Sequence, residues 1–307
     1  MKENLKYYDT VIIGGGPAGV SSALYIQRAN LSSAIFYGEN SSLMKAEKIE
    51  NYYGFFSKNK FDNSGKSLFE TGIAQAQSLG AETFNNQCFS IEYDFSEKRF
   101  ICTFDNIKTK SKALIISTGS VRKKPKIENL DRLEGSGVSY CAVCDSFFYK
   151  EKDVCVVGNG NYAFEEASVL LNVAKTVTLC TNGEPLLTQS ENYKHLLSNL
   201  KFKIIDKKIK SIDGKLNVES ITLENHELIK CNGVFIALGV AGADSLAKKI
   251  GAITENGKII TDENMKTSID GLFAAGDCTK GLLQVSKAVY DGTIAGLGAI
   301  NHCKKTD

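Results

Sequence analysis

Two glycine-rich turns constrain the fold of this chain more than any other feature of its sequence. The first turn, Gly14–Gly19, follows an apolar run and precedes a helical pattern over residues 20–29. The second turn, Gly158–Ala163, also follows an apolar run and precedes a helical pattern over residues 164–173. Its third glycine position holds alanine. Strand, G-x-G-x-x-G turn and helix in this order are typical of a nucleotide-binding βαβ unit. The sequence therefore predicts an α/β fold that contains this unit twice.

The first turn has the residue types that a bound dinucleotide needs. Glycines at Gly14, Gly16 and Gly19 allow a tight turn and let a pyrophosphate approach the N-terminus of the helix. The next strand, Ser33–Tyr37, ends near Glu39, where a carboxylate can bind ribose hydroxyls. The alternative is a glycine-rich turn without a ligand. The complete strand–turn–helix context favours the dinucleotide.

Length and composition indicate a globular protein of two domains. A chain of 307 residues is longer than one hydrophobic core usually supports. Its hydrophobic content of 43% and charged content of 23% are ordinary for globular proteins. No apolar run reaches the length of a membrane span, and the N-terminus lacks the apolar core of a signal peptide. We therefore expect a cytoplasmic protein without a membrane partner.

The motif Cys141-x-x-Cys144-Asp145 is the strongest candidate for a reactive centre. Two cysteines at this spacing can close a small disulfide that exchanges readily with other disulfides, and the adjoining carboxyl can move protons. Half of a zinc site and a pair of ordinary buried cysteines are the alternatives. Zinc needs two further ligands at short spacing, whereas the chain has one C-x-x-C and three isolated histidines: His195, His226 and His302. No metal site is predicted.

The rest of the chain suggests where the domains divide. Strand residues run into the turn Ser117-Thr118-Gly119, and a lysine-rich connector containing Pro125 follows. This composition places a boundary near Gly119–Arg122. Near the C-terminus, a strand delivers Asp277 to a glycine turn, and a helix is predicted from about Gln284 to His302. The free N–H groups at its start suit an anion or an electron-rich ring.

Together these motifs resemble the low-molecular-weight thioredoxin reductases over nearly the whole chain. The resemblance is carried, in chain order, by Gly14–Gly19, Asn51, Thr118-Gly119, Cys141–Asp145, Gly158–Ala163 and Gly271–Asp277. It implies two Rossmann-like nucleotide-binding domains of three-layer ββα type, the second inserted in the first. Residues 1–118 and 241–307 would form the FAD-binding domain. Residues 119–240 would form an NAD(P)H-type domain that carries the cysteine pair.

The resemblance also implies roles for individual residues. Cys144 would face the flavin, Cys141 would attack thioredoxin, and Asp145 would donate and accept protons. Glu39 would bind the adenosine ribose, Asn51 and Asp277 the flavin side, and Gln284 would lie beside the isoalloxazine. The complete implied FAD-binding set is Gly14, Gly16, Pro17, Ala18, Gly19, Glu39, Asn51, Thr118, Gly119, Gly276, Asp277 and Gln284. The family is typically homodimeric.

One departure from the family concerns the electron donor. Members that use NADPH follow the second βαβ strand with a His-Arg-Arg cluster and a further arginine, which pair with the 2′-phosphate. Here the corresponding segment is Cys180–Gly183, and no arginine follows Arg132 anywhere in the chain. The acid that NADH favours is missing from the strand end as well, since Glu184 comes late and precedes a proline. The second glycine turn is therefore interpreted as structural.

Two smaller departures lie in the first domain. The family's Gly-Gly-Gln-Leu loop reads Asn40-Ser-Ser-Leu43, and its Arg-Gln pair before the last helix reads Leu283-Gln284.

Without a pyridine nucleotide, the chain looks like the ferredoxin-dependent subgroup of this family, in which an iron–sulfur protein supplies single electrons. Plant-type ferredoxins lie near about −400 mV and thioredoxin near about −270 mV, so two electrons release about 6 kcal/mol. Of the 37 basic residues only four are arginine, and a lysine-rich surface can steer an acidic ferredoxin. The lysine clusters lack interleaved aromatic residues, so no nucleic-acid partner is predicted.

Two alternatives stay open. The chain could reduce thioredoxin with NADPH or NADH bound in an atypical site. It could also be a flavoprotein redox sensor without turnover, although the intact C-x-x-C-Asp motif argues against this function.

Overall fold

The computed structural model divides the chain into two compact units. It describes residues 5–38, 41, 43–55, 63–105, 107–119, 125–187, 194–238 and 242–306. The first unit combines Met1–Val121 with Gly242–Asp307, and the second comprises Arg122–Ala241. The sequence placed the two divisions at 118/119 and 240/241.

The first unit contains both chain ends. Its strands, numbered along the whole chain, are β1 (Leu5–Ile13), β2 (Ser33–Tyr37), β3 (Glu82–Asn85), β4 (Ser90–Asp94), β5 (Arg99–Thr103), β6 (Lys108–Ile116), β15 (Thr254–Glu255), β16 (Lys258–Ile259) and β17 (Leu272–Ala274). Its helices are α1 (Pro17–Arg28), α2 (Gly65–Ser78), α6 (Ala243–Lys249) and α7 (Val285–Lys305).

The main sheet of this unit has the order β3-β2-β1-β6-β5-β4 within the described residues, and β17 also pairs with β6. The pairs β3–β2, β2–β1, β1–β6 and β6–β17 are parallel, whereas β4, β5 and the first half of β6 form an antiparallel meander. Ile116 pairs with both Ile13 and Ala274. The segments that follow these three residues therefore emerge at one edge of the sheet, which is where α/β folds bind ligands.

Helices α1 and α7 pack so closely that only small residues fit between them. A Cβ atom on Gly292 would lie 2.1 Å from the Ala18 carbonyl oxygen. The Ser22 hydroxyl donates to the Gly292 carbonyl at 2.9 Å. This contact joins the two ends of the chain, because α1 begins the first βαβ unit and α7 ends the last.

The second unit is a smaller version of the same architecture. Its strands are β7 (Val138–Ser139), β8 (Asp153–Val157), β9 (Thr176–Cys180), β10 (Phe202–Ile205), β11 (Ile209–Asp213), β12 (Ser220–Leu223), β13 (Leu228–Lys230) and β14 (Gly233–Ile236). Its helices are α3 (Ala142–Asp145), α4 (Asn161–Leu171) and α5 (Lys194–Leu197). The parallel sheet has the order β10-β9-β8-β14-β7, and β11, β12 and β13 form an antiparallel sheet.

Both units have the three layers that the sequence predicted, and the α/β class with two Rossmann-like sheets is confirmed. In the second unit, side chains from the parallel sheet and from the β11–β13 sheet form one core that includes Val157, Val234, Ile212 and Ile221. Helix α4 packs against β8 and β9. Central strands such as β8 are buried on both faces, which explains their continuous apolar sequence.

The structure shifts several element boundaries. Helices α1 and α4 each begin three residues earlier than predicted, directly after Gly16 and Gly160, because an extended glycine precedes each first helical residue. Helix α7 continues to Lys305. Helix α6 and strand β11 were not predicted. The sequence pattern also predicts a helix over residues 192–200; the structure has α5 at Lys194–Leu197, and residues 192–193 lie outside the described residues. In the part of the chain that is described, no helix has the length and apolarity needed to span a membrane.

Candidate active site

The first glycine turn is shaped by contacts that exclude larger residues at two of its three glycines. A Cβ atom would lie 2.2 Å from the Ser117 carbonyl oxygen if it were added to Gly14, and 1.8 Å from the Gly14 carbonyl oxygen if it were added to Gly19. At Gly16, by contrast, an added Cβ would meet no atom within 4 Å. Helix α1 also starts without a side-chain cap and with Pro17 in its first turn. Gly16 therefore faces open space beside uncapped helix N–H groups, as a phosphate site requires.

The turn that carries Asp277 is held by a buried ion pair on α7. Asp291 is 2% exposed, accepts the Gly276 N–H at 3.1 Å, and pairs with the Lys287 ammonium at 2.7 Å. Lys287 also donates to the Gly276 carbonyl at 3.0 Å. Burial raises the pKa of Asp277, with Asp291 adding to the shift, while Lys287 and Lys258 oppose it. No hydrogen bond to the Asp277 carboxyl occurs among the described residues, so this half-buried group is available to a ligand.

Three other predicted positions surround this edge of the sheet. The Asn51 amide donates to Gln284 Oε1 at 2.7 Å, which joins the loop before α2 to the start of α7. Thr118 is exposed at the end of β6, and Gly119 has a φ of +76° with no atom within 4 Å of an added Cβ. Glu39, the predicted ribose ligand, and Asn40 and Ser42 lie outside the described residues.

These residues fit FAD. The open position at Gly16 and the uncapped start of α1 match a pyrophosphate. The free carboxyl of Asp277 matches the hydroxyls of a ribityl chain, because a carboxylate accepts hydrogen bonds from such groups. Ala18, in the first turn of α1, lies next to the turn that carries Asp277: a Cβ atom added to Gly276 would lie 3.0 Å from the Ala18 Cβ. The structure thus brings Gly14–Gly19 and Gly276–Asp277 together at one sheet edge, as the resemblance implied.

The cysteine pair forms a disulfide in the second unit. Cys141 and Cys144 are joined with their Cα atoms 5.4 Å apart. Cys141 precedes α3, is 4% exposed, and its sulfur accepts the Cys144 N–H at 3.2 Å. Cys144 is exposed. The bond is closed between the two predicted residues, and the exposed partner is the second one.

Asp145 is linked to the disulfide segment through a serine that the sequence reading did not select. The Ser139 hydroxyl donates to Asp145 Oδ2 at 2.6 Å and accepts the Cys141 N–H at 3.1 Å. The Asp145 N–H donates to the Cys141 carbonyl at 3.2 Å. Burial, with a contribution from the Asp145 charge, raises the pKa of Tyr149. One hydroxyl therefore connects the candidate acid–base group to the backbone of the first cysteine.

Helix α4 forms two hydrogen bonds to the backbone beside Cys141. Glu166 is 1% exposed, and its carboxylate accepts the Ala142 N–H at the start of α3. The Tyr162 hydroxyl donates to the Tyr140 carbonyl at 3.0 Å. The helix that follows the second glycine turn thus has a structural role next to the disulfide, independent of any nucleotide.

An exposed apolar surface lies beside the disulfide. Phe147 is 81% exposed, Phe148 is 67% exposed and Val143 is 45% exposed. Large apolar side chains grouped on a surface commonly mark a site for a protein partner.

The other seven cysteines are buried and unpaired by disulfides: Cys88, Cys102, Cys155, Cys180, Cys231, Cys278 and Cys303. Burial raises the pKa of Cys278 to about 12. The pKa of Cys155 is raised by hydrogen bonding to Cys180 and Cys231 and by burial. Because the thiolate is the reactive form, Cys155 and Cys278 are poor nucleophiles. No cluster of metal-binding side chains occurs among the described residues.

The second glycine turn keeps the local geometry of a nucleotide site. A Cβ on Gly158 would lie 2.2 Å from the Ala237 carbonyl oxygen, whereas a Cβ on Gly160 would meet nothing within 4 Å. The chain's own following loop binds to this turn. Asn159 donates its side-chain amide to the Pro185 carbonyl at 2.9 Å, and its carbonyl accepts the Leu187 N–H at 2.7 Å.

The loop after β9, where an adenosine 2′-phosphate would lie, offers no guanidinium group. Asn182 accepts the Ile209 N–H at 2.8 Å through its side chain. The fold does bring a lysine to this loop that the sequence reading did not foresee, because a Cβ on Gly183 would lie 3.4 Å from the Lys208 Cβ. The Lys208 ammonium is paired with Glu224 at 3.1 Å.

Sequence reasoning thus missed four residues that shape the site: Ser139, Glu166, Lys287 and Asp291. Two signals could have revealed three of them, and none in the sequence points to Glu166. Ser139 lies two residues before the disulfide, a spacing at which a side chain can bond to the cysteine backbone. Lys287 and Asp291 form an i, i+4 pair in a helix that otherwise carries small residues on its buried face.

Comparisons with known proteins agree with this geometry. The family model described as pyridine nucleotide-disulphide oxidoreductase matches residues 8–292. The thioredoxin reductase of Listeria innocua is 35% identical over 97% of this chain and 95% of its own length.

Two crystal structures are also similar. The atypical thioredoxin reductase TRi from Desulfovibrio vulgaris Hildenborough has a TM-score of 0.86 at 33% identity, over 97% of this chain and 98% of that chain. A ferredoxin-flavin thioredoxin reductase from Clostridium acetobutylicum has a TM-score of 0.67 at 30% identity, over 98% of this chain and 100% of that chain.

Proposed function

Since the chain belongs to the pyridine nucleotide-disulphide oxidoreductases, as an FAD-carrying enzyme of the thioredoxin reductase type, we propose that ferredoxin supplies its electrons. The proposal rests on a single observation, which is that the loop after β9 has no arginine to bind a 2′-phosphate. A 2′-phosphate is normally bound by arginines that present paired donors. Here the loop holds Asn182, whose side chain is engaged by Ile209, and the nearby ammonium of Lys208 is paired with Glu224.

Two further features support a site without a pyridine nucleotide. The segment that contains Pro185 and Leu187 is hydrogen-bonded to Asn159, in the turn that would cradle a pyrophosphate. Helix α4 supports the disulfide segment through Glu166 and Tyr162, so the second βαβ unit has a reason to persist without a nucleotide. One similar crystal structure is of a ferredoxin-flavin thioredoxin reductase, and another is of an atypical thioredoxin reductase.

We assign the chemistry to residues as follows. Bound FAD supplies a store for two electrons that can arrive one at a time. Cys144 receives these electrons when the disulfide is reduced, Asp145 provides the proton for the sulfur that is released, and Cys141 then attacks the thioredoxin disulfide. Cys141 is 4% exposed, so its sulfur must become accessible before this attack. The exposed surface of Val143, Phe147 and Phe148 suits a protein substrate.

In the flavin site, Gly14, Gly16 and Gly19, with Pro17 and Ala18 between them, hold the pyrophosphate. Glu39 holds the adenosine ribose. The residues assigned to the flavin half are Asn51, Thr118, Gly119, Gly276, Asp277 and Gln284. The proposal also includes a homodimer, which the resemblance implies, and a cytoplasmic location, which the lack of an apolar signal or membrane segment in the sequence suggests. Sedimentation of the purified protein tests the dimer.

A second candidate function is supported by one observation. Gly160 leaves open space at the uncapped start of α4, as Gly16 does at α1, and this geometry is compatible with a pyrophosphate. An NADPH- or NADH-dependent thioredoxin reductase with an atypical site is therefore the alternative to ferredoxin dependence.

Steady-state turnover with different donors tests the proposal. Purified thioredoxin is offered to the enzyme with reduced ferredoxin, with NADPH or with NADH. We expect turnover with reduced ferredoxin and none with either nucleotide. Turnover with NADPH or NADH would support the alternative and contradict ferredoxin dependence, and loss of the NADPH activity in Lys208→Ala would assign the 2′-phosphate contact to this lysine. Absence of thioredoxin reduction with every donor, including an artificial viologen donor, would leave the redox-sensor function.

A further inference from the structure

We propose that Ser139 is a positioning residue that fixes the Asp145 carboxyl group for proton transfer at the Cys141–Cys144 disulfide. This inference rests on the acid–base role proposed for Asp145. It adds a residue that neither the sequence pattern nor the similarity to other proteins assigns.

The hydrogen-bond geometry around Ser139 carries the inference. Its hydroxyl proton has two acceptors in reach, the Asp145 Oδ2 atom at 2.6 Å and the Cys141 carbonyl at 3.5 Å. The shorter bond is to the carboxyl group of Asp145, and a hydrogen bond to this group strengthens when the group becomes ionised. The hydroxyl oxygen meanwhile accepts the Cys141 N–H at 3.1 Å. Ser139 thus ties the carboxyl group to the backbone of the reacting cysteine.

Ser139 is the residue that orients the Asp145 carboxyl group. No other hydrogen bond to the Asp145 side chain occurs in the part of the chain that is described. Ser139 itself is fixed, because it is 7% exposed and lies on β7, where it pairs with Phe235 of β14. Asp145 follows at the end of the four-residue helix α3. The buried Ser139 on β7 therefore holds the carboxyl group of Asp145, which lies at the end of a short helix.

Proton balance shows what this positioning achieves. Reduction of the disulfide takes two electrons and one proton and yields one thiol and one thiolate. When Asp145 gives its proton to the released sulfur, it becomes a carboxylate, and the Ser139 hydroxyl donates to this charge. In the reverse direction, the same bond holds the carboxylate ready to take the proton back. A catalytic group that is misplaced by about 1 Å can cost about 10²-fold in rate.

A double-mutant cycle tests the inference with reduced viologen as the electron donor, so that the result does not depend on ferredoxin. We expect Asp145→Asn to slow thioredoxin reduction by about 10²–10⁴-fold, the range of a positioned acid–base group. Ser139→Ala should lower kcat by about 10–10²-fold, leave KM for thioredoxin unchanged and increase the solvent isotope effect. In the Asp145→Asn background, Ser139→Ala should change kcat by less than about 2-fold, because the group it positions is already gone.

Two further variants separate positioning from loss of structure. Ser139→Thr retains a hydroxyl and should recover most of the activity. Ser220→Ala removes a serine that is equally buried, at 7% exposure, on β12 of the same unit. It should leave kcat unchanged.

The outcomes distinguish this inference from the proposed function. Wild-type kcat in Ser139→Ala, or a loss of about 10-fold or more on top of Asp145→Asn, would overturn the positioning role while the role of Asp145 stands. An unchanged rate in Asp145→Asn alone would remove the assigned role of Asp145, and the inference would fail with it.

Discussion

At the scale of single residues, the chemistry depends on one exposed sulfur among nine cysteines. Cys144 is exposed, whereas its partner Cys141 and the seven free cysteines are buried. Burial keeps the seven free thiols out of reach of the disulfide of a protein substrate. The Cys141–Cys144 pair thus differs from the other cysteines in two ways: it has the C-x-x-C spacing, and one of its two sulfur atoms belongs to an exposed residue.

Replacement of Cys144 tests this assignment. We expect Cys144→Ser to retain bound FAD, because no flavin-site residue changes, and to lose thioredoxin reduction, because no disulfide can form with Cys141. Flavin absorbance and turnover with a viologen donor measure the two properties. Cys88→Ser is the matched control, since Cys88 is a buried thiol of the other unit that bonds to the Ser90 carbonyl. It should turn over normally. Normal turnover in Cys144→Ser would show that the sulfur roles are wrong.

At the scale of elements, the two glycine turns have the same shape but different proposed uses. Gly16 and Gly160 are both extended, with φ of −73° and −120°, and both leave room for a Cβ atom. An alanine is therefore compatible with the protein at either position. Only a bound phosphate would be displaced by the added methyl group.

Because Gly16 and Gly160 have similar surroundings, the same substitution can be compared at both positions. Gly16→Ala should keep the unfolding temperature of the apoprotein and weaken FAD binding by about 10-fold or more, which is about 1.4 kcal/mol. Gly160→Ala should leave both FAD binding and ferredoxin-dependent turnover unchanged. Flavin fluorescence titration measures the affinity, and thermal unfolding of the apoprotein is the control. A loss of turnover in Gly160→Ala with normal FAD binding would point to a ligand at the second turn.

The C-terminal end of α7 contains a pH-sensitive contact. Burial lowers the pKa of His302 below its ordinary value of 6.5; the nearby Asp270 carboxylate opposes this shift, and Lys266 and Lys305 add to it. A hydrogen bond with the Lys112 backbone also opposes it. Because the folded protein binds this proton more weakly than the unfolded chain, the stability that the neutral form provides is lost as the pH falls below about 6.5.

His302→Gln should therefore reduce the acid sensitivity of folding. Between about pH 7.5 and about pH 5.5, we expect the unfolding temperature of the variant to fall less than that of the wild type. The exposed His226 of the other unit provides a matched control, and His226→Gln should retain the wild-type slope. Equal slopes for all three proteins would contradict an acid-sensitive role for His302.

At the scale of the whole molecule, the sequence identified most of what local patterns encode. Strand β2 has the predicted bounds, because apolar residues between polar turns mark it clearly. The glycine turns, the disulfide pair and the acidic turn at Asp277 were also found, because each depends on adjacent residues. Contacts between distant segments were not found. The pairing of Asp291 with the Gly276 turn and the approach of Lys208 to Gly183 depend on tertiary packing.

Helix α6 illustrates the same limit. Its seven residues, Ala243–Lys249, are too few to show a clear helical period, and five of them are buried. Tertiary packing rather than local propensity stabilises such an element. The role of Ser139 was not predicted for a related reason, since serine is common in and around strands and only the fold shows that this hydroxyl reaches Asp145.

The chain has a thioredoxin reductase fold, and we propose that the loop after β9 does not bind NADPH. Rapid mixing of the anaerobic oxidised enzyme with each electron donor tests this claim most directly, with flavin absorbance as the signal. We expect reduced ferredoxin to bleach the flavin rapidly and NADPH and NADH at micromolar concentration to leave it unchanged. Rapid bleaching by NADPH or by NADH would show that a nucleotide supplies the electrons and that ferredoxin dependence is wrong.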